Sequence, residues 1–209
     1  MQPSLNRRFT PCEDLSHHIL DICENSANAE ALVEIEFDER GAFVTLSVRD
    51  NGKGMDEQTA RAVVNPFVTS RTTRRVGLGL PFLKQMAELC GGAFSLVTAP
   101  GEGTTVTASF RKDSIDTPPP GDIPSTLVTL FLSGGGVRWR YRHKTGRGEF
   151  LLDSDELADA LGRDFISDVS LLGSVKEYIG ENLSEIGWTP YQYSSLPGEE
   201  KSVMEEEFR

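Results

Sequence analysis

The segment AFVTLSVRD, residues 42–50, alternates apolar and polar side chains and runs straight into Asn51-Gly52-Lys53-Gly54. Period-two alternation describes a half-buried strand. A strand that leaves its sheet through an acid and two closely spaced glycines must turn sharply, and its backbone can approach a flat ligand because glycine has no Cβ. LVEIEF, residues 32–37, precedes it across the short turn DERG, so the two runs predict a hairpin. Upstream, Leu15, Ile19, Ile22, Cys23 and Ala27 have the spacing of one helix face over residues 13–29.

The remaining elements follow in chain order. Asp56 is a candidate cap for a short helix, 56–64, which leads into the loop NPFVTSRTTRRV. Pro81 suits the first turn of a helix over 80–90, where its missing N–H costs nothing, and Gly91-Gly92 ends it. AFSLVT (93–98), the turn APGEG and TTVTASF (104–110) form a second hairpin. Helices on one face of a mostly antiparallel sheet define an α/β sandwich over residues 1–112. DSIDTPPPGD, residues 113–122, reads as a stiff linker. A small α+β domain follows at 123–188. Its IPSTLVTLFLSGG is a short apolar helix, with a strand as the alternative. VRWRYRH and EFLL make a hairpin, Asp153 with Glu156 forms a capping box for a helix at 154–162, and a last amphipathic helix runs from Leu171 to Ile186. Residues 189–209 are polar and acidic and read as a disordered tail.

Charge excludes some functions. The chain has a net charge of −11, and residues 113–209 hold 18 acidic against 9 basic side chains. Such a half cannot face a phosphate backbone, so nucleic acid is not expected as a partner. No apolar run reaches membrane-spanning length, and the N-terminal residues lack the apolar core of a secretory signal. The three cysteines, Cys12, Cys23 and Cys90, form no C-x-x-C pair and fit a reducing, cytoplasmic setting without a disulfide framework.

Four short motifs carry chemistry. Asp21 and Asn25 stand four apart on a helix and so share a face. An asparagine carbonyl is a hard oxygen ligand for Mg²⁺, and a carboxylate one turn away can orient or deprotonate a water. Asp50 at a strand end can accept a hydrogen bond from an exocyclic amine such as that of adenine, with Gly52 and Gly54 lying close to the base. Gly77-Leu78-Gly79-Leu80 precedes a helix, where unpaired N–H groups and the macrodipole cradle phosphate. Arg71, Arg74 and Arg75 lie just upstream and can add charge-assisted hydrogen bonds. Thr104 and Thr105 open the strand after Gly101-Glu102-Gly103 and can complete the bonding around the base beside Asp50. The glycine pattern is neither a Walker A loop nor a dinucleotide fingerprint.

In this order the four motifs over residues ~10–112 resemble the ATP-binding domain of the GHKL superfamily, the Bergerat fold shared by DNA gyrase, the heat-shock chaperone of that superfamily, sensor histidine kinases and MutL. The resemblance implies ATP or ADP with Mg²⁺ as ligands. It matches Asn25 to the Mg²⁺-holding asparagine, Asp50 to the adenine-reading aspartate and Gly52 and Gly54 to the base-lining glycines. Gly77, Leu78, Gly79 and Leu80 match the phosphate-binding box, with Arg71 beside it, and Thr104 or Thr105 matches the final threonine. Hydrolytic members carry glutamate where Asp21 stands, so Asp21 keeps the carboxylate on a shorter arm. The GLGL box and the short span between Asp56 and Gly77 look most like histidine kinases and anti-sigma-factor serine kinases.

Two functions follow as expectations. One is an enzyme that hydrolyses ATP or passes its γ-phosphate to a partner protein. The other is a nucleotide-sensing module that a partner reads, with little turnover. The pattern at 123–188, with WRYRH at its centre, resembles the tail of stand-alone ATP-binding proteins that accompany bacterial redox and iron-hydrogenase modules. His17 and His18 lie on the first helix and His143 in an alternating strand, and all three are read as packing or surface residues rather than phosphoacceptors. A protein partner is expected, no nucleic acid or membrane is, and a homodimer is left open.

Overall fold

The computed structural model describes residues 14–26, 32–65, 79–133 and 136–189, without the side chains of 24–26 and 164. The elements in chain order are α1 (Leu15–Ser26), β1 (Leu32–Asp38), β2 (Phe43–Asp50), α2 (Glu57–Val63), α3 (Gly79–Leu89), β3 (Phe94–Ala99) and β4 (Gly103–Arg111). Then come α4 (Ile123–Ser133), β5 (Arg138–Lys144), β6 (Glu149–Asp153), α5 (Ser154–Leu161), a 3-10 turn (Arg163–Ser167) and α6 (Val169–Glu185). The 3-10 turn is the one described element that the periodicity does not predict. The expected tail, beyond Thr189, lies outside the described residues.

All six strands form one sheet in the order β3-β4-β2-β1-β5-β6. Every pairing is antiparallel except β1 with β5. Alternation sorts the side chains. Val33, Ile35 and Phe37 of β1, Val44, Leu46 and Val48 of β2 and Trp139 and Tyr141 of β5 point to the buried, helix-covered face. The opposite face carries Glu34, Glu36, Thr45, Ser47, Arg140 and Arg142, as a sheet solvated on one side requires. This is the α/β sandwich expected from the sequence.

The expected division at 113–122 is not what the chain builds. Residues 123–188 do not make a separate α+β domain: β5 pairs with the outer edge of β1 over seven residues, from Leu32↔Arg138 to Asp38↔Lys144. A parallel neighbour needs a crossover connection, and α4, which packs against α1 and α6, lies on it. The buried side chains of both halves form a single cluster. The proline segment is not a linker between two domains either. Thr117, Pro118 and Pro120 are buried, and the Leu15 N–H donates to the Pro119 carbonyl at 2.9 Å, so the segment straps the start of α1.

A buried polar chain closes the far end of this junction. The Glu39 carboxylate, just after β1, can only accept, so His143 Nε2–H donates to its Oε1 at 3.1 Å. On the other side of the ring, Nδ1 lies 2.6 Å from the Tyr141 hydroxyl. Burial, and secondarily the Glu39 charge, push the Tyr141 phenol well above its ordinary range, so it remains a donor. Lys112 Nζ donates to the Glu39 carbonyl.

One core implies one unfolding transition. Leu127 on α4 is fully buried, and Leu127→Ala is expected to destabilise the whole chain by about 2–5 kcal/mol. Urea unfolding followed in parallel by far-UV circular dichroism and by the fluorescence of Trp139 and Trp188 checks this. The two curves should coincide and shift together; a tryptophan transition that moves alone would restore two independent units.

Candidate functional site

The site is built around α1. Its buried face, Leu15, Ile19, Ile22 and Cys23, seats it on the core, and Asp21 projects from the exposed side. The backbone of Asn25 falls one turn later in the same helix, which places the pair on one face as expected.

Asp50 stands at the other side of α1. It ends β2, is 8% exposed, and lies in register with Val33 of β1 and Thr104 of β4. Its Oδ1 accepts from the Gly52 N–H at 2.9 Å, which fixes the carboxylate. Asn51 anchors the turn to the start of β1: the Leu32 N–H donates to Asn51 Oδ1 at 2.7 Å and the Asn51 N–H donates to the Leu32 carbonyl at 3.3 Å. Burial first, and then the negative charge of Asp50, raise the Cys23 thiol far above its ordinary range. That coupling places the inner side of α1 next to Asp50.

The loop after Asp50 is locked to the β3–β4 hairpin. The Gly101 N–H donates to the Lys53 carbonyl at 2.7 Å. The Met55 N–H donates to Thr98 Oγ1 at 2.9 Å, and that hydroxyl donates to the Gly103 carbonyl at 2.9 Å. Thr98 and Thr104 hydroxyls lie 3.2 Å apart. Gly54 has φ +60°, and a side chain there would collide with the Ala99 carbonyl; Gly103 has φ +79°, and a side chain there would collide with the Asp50 carbonyl. The two hairpin threonines, equivalent in the sequence reading, are separated by register. Thr104 pairs with Asp50 and shares its face. Thr105 pairs with Arg49 and so belongs to the opposite face.

The first turn of α3 meets α1 at Asp21. A Cβ on Gly79 would lie 3.0 Å from both Cβ and Oδ2 of Asp21, so a side chain there would press on the carboxylate and push it aside. Gly79 is buried and Leu80 half-buried. The opening turn of an α-helix has N–H groups without intrahelical partners, which suits an anion. Arg71, Gly77 and Leu78, with Arg74 and Arg75, lie outside the described residues. The structure therefore brings Asp21, the helix position of Asn25, and Gly79 to one seam, and Asp50, Gly52, Gly54 and Thr104 to the sheet end beneath α1. A separate groove of about 580 Å³ lies between α2, α3 and β3, lined in part by Met55, Arg61, Lys84, Leu96 and Thr98. Neither Asp21 nor Asp50 lines it.

Residue His18 has a place that the sequence reading left as packing. It is 3% exposed, and its ring stacks on Phe82 of α3 with centroids 5.7 Å apart. Position 18 falls on the apolar stripe of Leu15, Ile19 and Ile22, so its burial was readable from spacing.

Comparison with known proteins identifies the class of the N-terminal part. A profile of the histidine kinase-, DNA gyrase B- and HSP90-like ATPase family matches residues 12–114. That part of the chain belongs to this family: it is a GHKL-type ATP-binding domain. The sensor histidine kinase YvrG of Bacillus subtilis is 31% identical over 84 residues, covering 38% of this chain and 14% of that protein. The sensor histidine kinase ZraS of Klebsiella oxytoca is 30% identical over 110 residues, covering 51% of this chain and 24% of that protein. The chain thus spans a quarter or less of these two relatives. Among solved structures, the mycobacterial sensor histidine kinase MprB aligns at 24% identity with a TM-score of 0.37, over 45% of this chain and 67% of that one.

Two glycine substitutions separate backbone strain from collision. Gly54 and Gly101 both have positive φ, but only a side chain at Gly54 meets another atom. Gly101→Ala is expected to cost about 1 kcal/mol from αL strain alone. Gly54→Ala should cost at least roughly 1–3 kcal/mol and detach the loop after Asp50 from the hairpin. Urea midpoints of the two variants, measured side by side, check the order.

Proposed function

We propose that this protein binds Mg-ATP in the seam between α1, α3 and the end of the sheet, and hydrolyses it or transfers its γ-phosphate to a partner protein. The observation that carries the reading is the contact of Asp21 with Gly79, which puts a carboxylate against the N-terminal turn of α3, on the same helix whose inner side meets Asp50. Asp50, held through Oδ1, presents its second oxygen to the adenine amine, and the Thr104 side supports the base. Gly77, Leu78, Gly79 and Leu80 supply backbone donors to the phosphates, and Arg71 supplies charge.

The donor set fits Mg²⁺: Asn25 offers a hard amide oxygen as ligand, and Asp21, one turn earlier on the same helix, leaves its carboxylate for the attacking group. Mg²⁺ held there with the phosphates would neutralise charge as the γ-phosphoryl group moves. Asp21 orients the attacking atom, an oxygen of water or of a protein hydroxyl or a nitrogen of a protein imidazole, and accepts the proton that this group loses. The bond from the γ-phosphorus to the ADP oxygen breaks as the new P–O or P–N bond forms.

The regulatory reading is favoured by one feature. The extension from 123 onward is built into the same sheet as Asp50, and its α4 packs on the helix that carries Asp21. A partner bound to the extension would therefore act on the nucleotide seat directly. Among the described residues no helix is long and apolar enough to cross a membrane.

Calorimetric titration with Mg-ATP and Mg-ADP, followed by a phosphate-release assay with and without a candidate protein acceptor, tests the proposal. Asp21→Asn is expected to keep nucleotide affinity while turnover falls at least about tenfold, the loss of roughly 1.4 kcal/mol of transition-state stabilisation. Unchanged turnover removes Asp21 from the chemistry. Asp50→Asn should weaken ATP and ADP alike by about tenfold or more, since a buried acceptor is replaced at the amine; intact affinity would overturn the adenine assignment.

A further inference from the structure

The contact between α1 and α3 has two successive rungs. Asp21 faces Gly79 on the first, and His18, three residues earlier on α1, stacks on Phe82, three residues later on α3. Positions three apart on a helix lie one above the other, so the rungs belong to one antiparallel seam. On the second rung the His18 imidazole is almost wholly enclosed, and its Nε2 has no hydrogen-bond partner among the described residues. Phe82, which covers it, is 40% exposed and is thus a lid over the histidine rather than part of the core. Buried side-chain nitrogens almost always find a partner, and an exception beside a functional seam calls for a physical reason.

We propose that His18 is a positioning residue of the nucleotide site: its Nε2 hydrogen-bonds to a water admitted to the α1–α3 seam when nucleotide loads, and so sets the distance between Asp21 and the first turn of α3. The inference rests on the Mg-ATP reading above. A water at that point can bond to the imidazole on one side and to the Asp21 carboxylate or an α3 N–H on the other. Burial holds the imidazole below its ordinary value, opposed by Asp21 and Asp14, which keeps the ring neutral near pH 7 and able either to donate or to accept at Nε2. The stack on Phe82 orients the ring. The neighbouring His17 takes no part: its Nδ1 lies 2.6 Å from Asp14 Oδ1, on the exposed side of the helix.

Wild-type calorimetry with Mg-ADP comes first. Absence of binding removes both the functional reading and this inference, whereas binding allows them to be separated. His18→Phe keeps an aromatic ring on Phe82 and deletes the nitrogen; His18→Gln keeps a polar terminus. The expected result is unchanged Mg-ADP affinity in both, a kcat lowered about fivefold or more in His18→Phe with KM little altered, and recovery to within about twofold in His18→Gln. A His18→Phe variant as active as wild type overturns the proposal, because packing alone would then suffice. Nitrogen-15 imidazole spectra of unmodified protein give a second reading that does not depend on variant folding. Mg-ADP should shift the His18 Nε2 resonance and leave that of His143 in place. Saturating nucleotide with a silent His18 also overturns the proposal.

Discussion

The parallel ladder between β1 and β5 is the interaction on which the rest of the structure depends. Without it β1 would be an edge, and an open edge next to Val33, Ile35 and Phe37 is a site for unwanted pairing. The ladder also dictates the crossover that brings α4 onto α1. That helix is then held by the sheet below it, by α3 at Gly79, by α4, and by the strap at Pro119. Each of these supports bears on where Asp21 points. A nucleotide site seated this way draws its rigidity from parts of the chain that contribute no ligand-binding group.

Two carboxylates on either side of α1 live in different surroundings. Asp50 is enclosed and oriented by a backbone N–H, the condition for reading a hydrogen-bond donor on a base. Asp21 faces outward against a helix N-terminus, the condition for a group that must exchange a proton near phosphate. On the proposed reading, α1 separates specificity, read by Asp50 at the end of β2 beneath its inner side, from chemistry at Asp21 on its outer side.

What was legible in the sequence was what local physics determines. Asp56 caps its helix by accepting from the Thr59 N–H, and Asp153 is the expected N-cap but accepts from the Asp155 N–H rather than closing a box with Glu156. Gly91 and Gly92 end α3 through bonds to Glu88 and Ala87. The strand assignments rest on alternation and agree with the structure. Apart from the missed 3-10 turn, the errors concern long-range partners. VRWRYRH announces a strand with one buried face but carries no sign of which edge it joins. Three consecutive prolines announce stiffness, and stiffness is as useful in a strap as in a linker; only the bond from Leu15 to Pro119 distinguishes them. Thr104 and Thr105 differ by one residue, and a period of two sends them to opposite faces once register with Asp50 is known.

Sequence distance has a consequence for synthesis. His143 reaches Glu39 across 104 positions, and the β1–β5 ladder joins residues slightly farther apart. A chain made from the N-terminus at about 5–20 residues per second leaves β1 unpaired on one side for several seconds after it emerges. During that interval α1 lacks its strap and α4, so the GHKL half exists as a sheet with an unprotected edge and an unseated nucleotide helix. Completion of the extension then closes the edge and supports α1 in the same event, so that a ribosome-stalled or truncated chain is a candidate for chaperone capture.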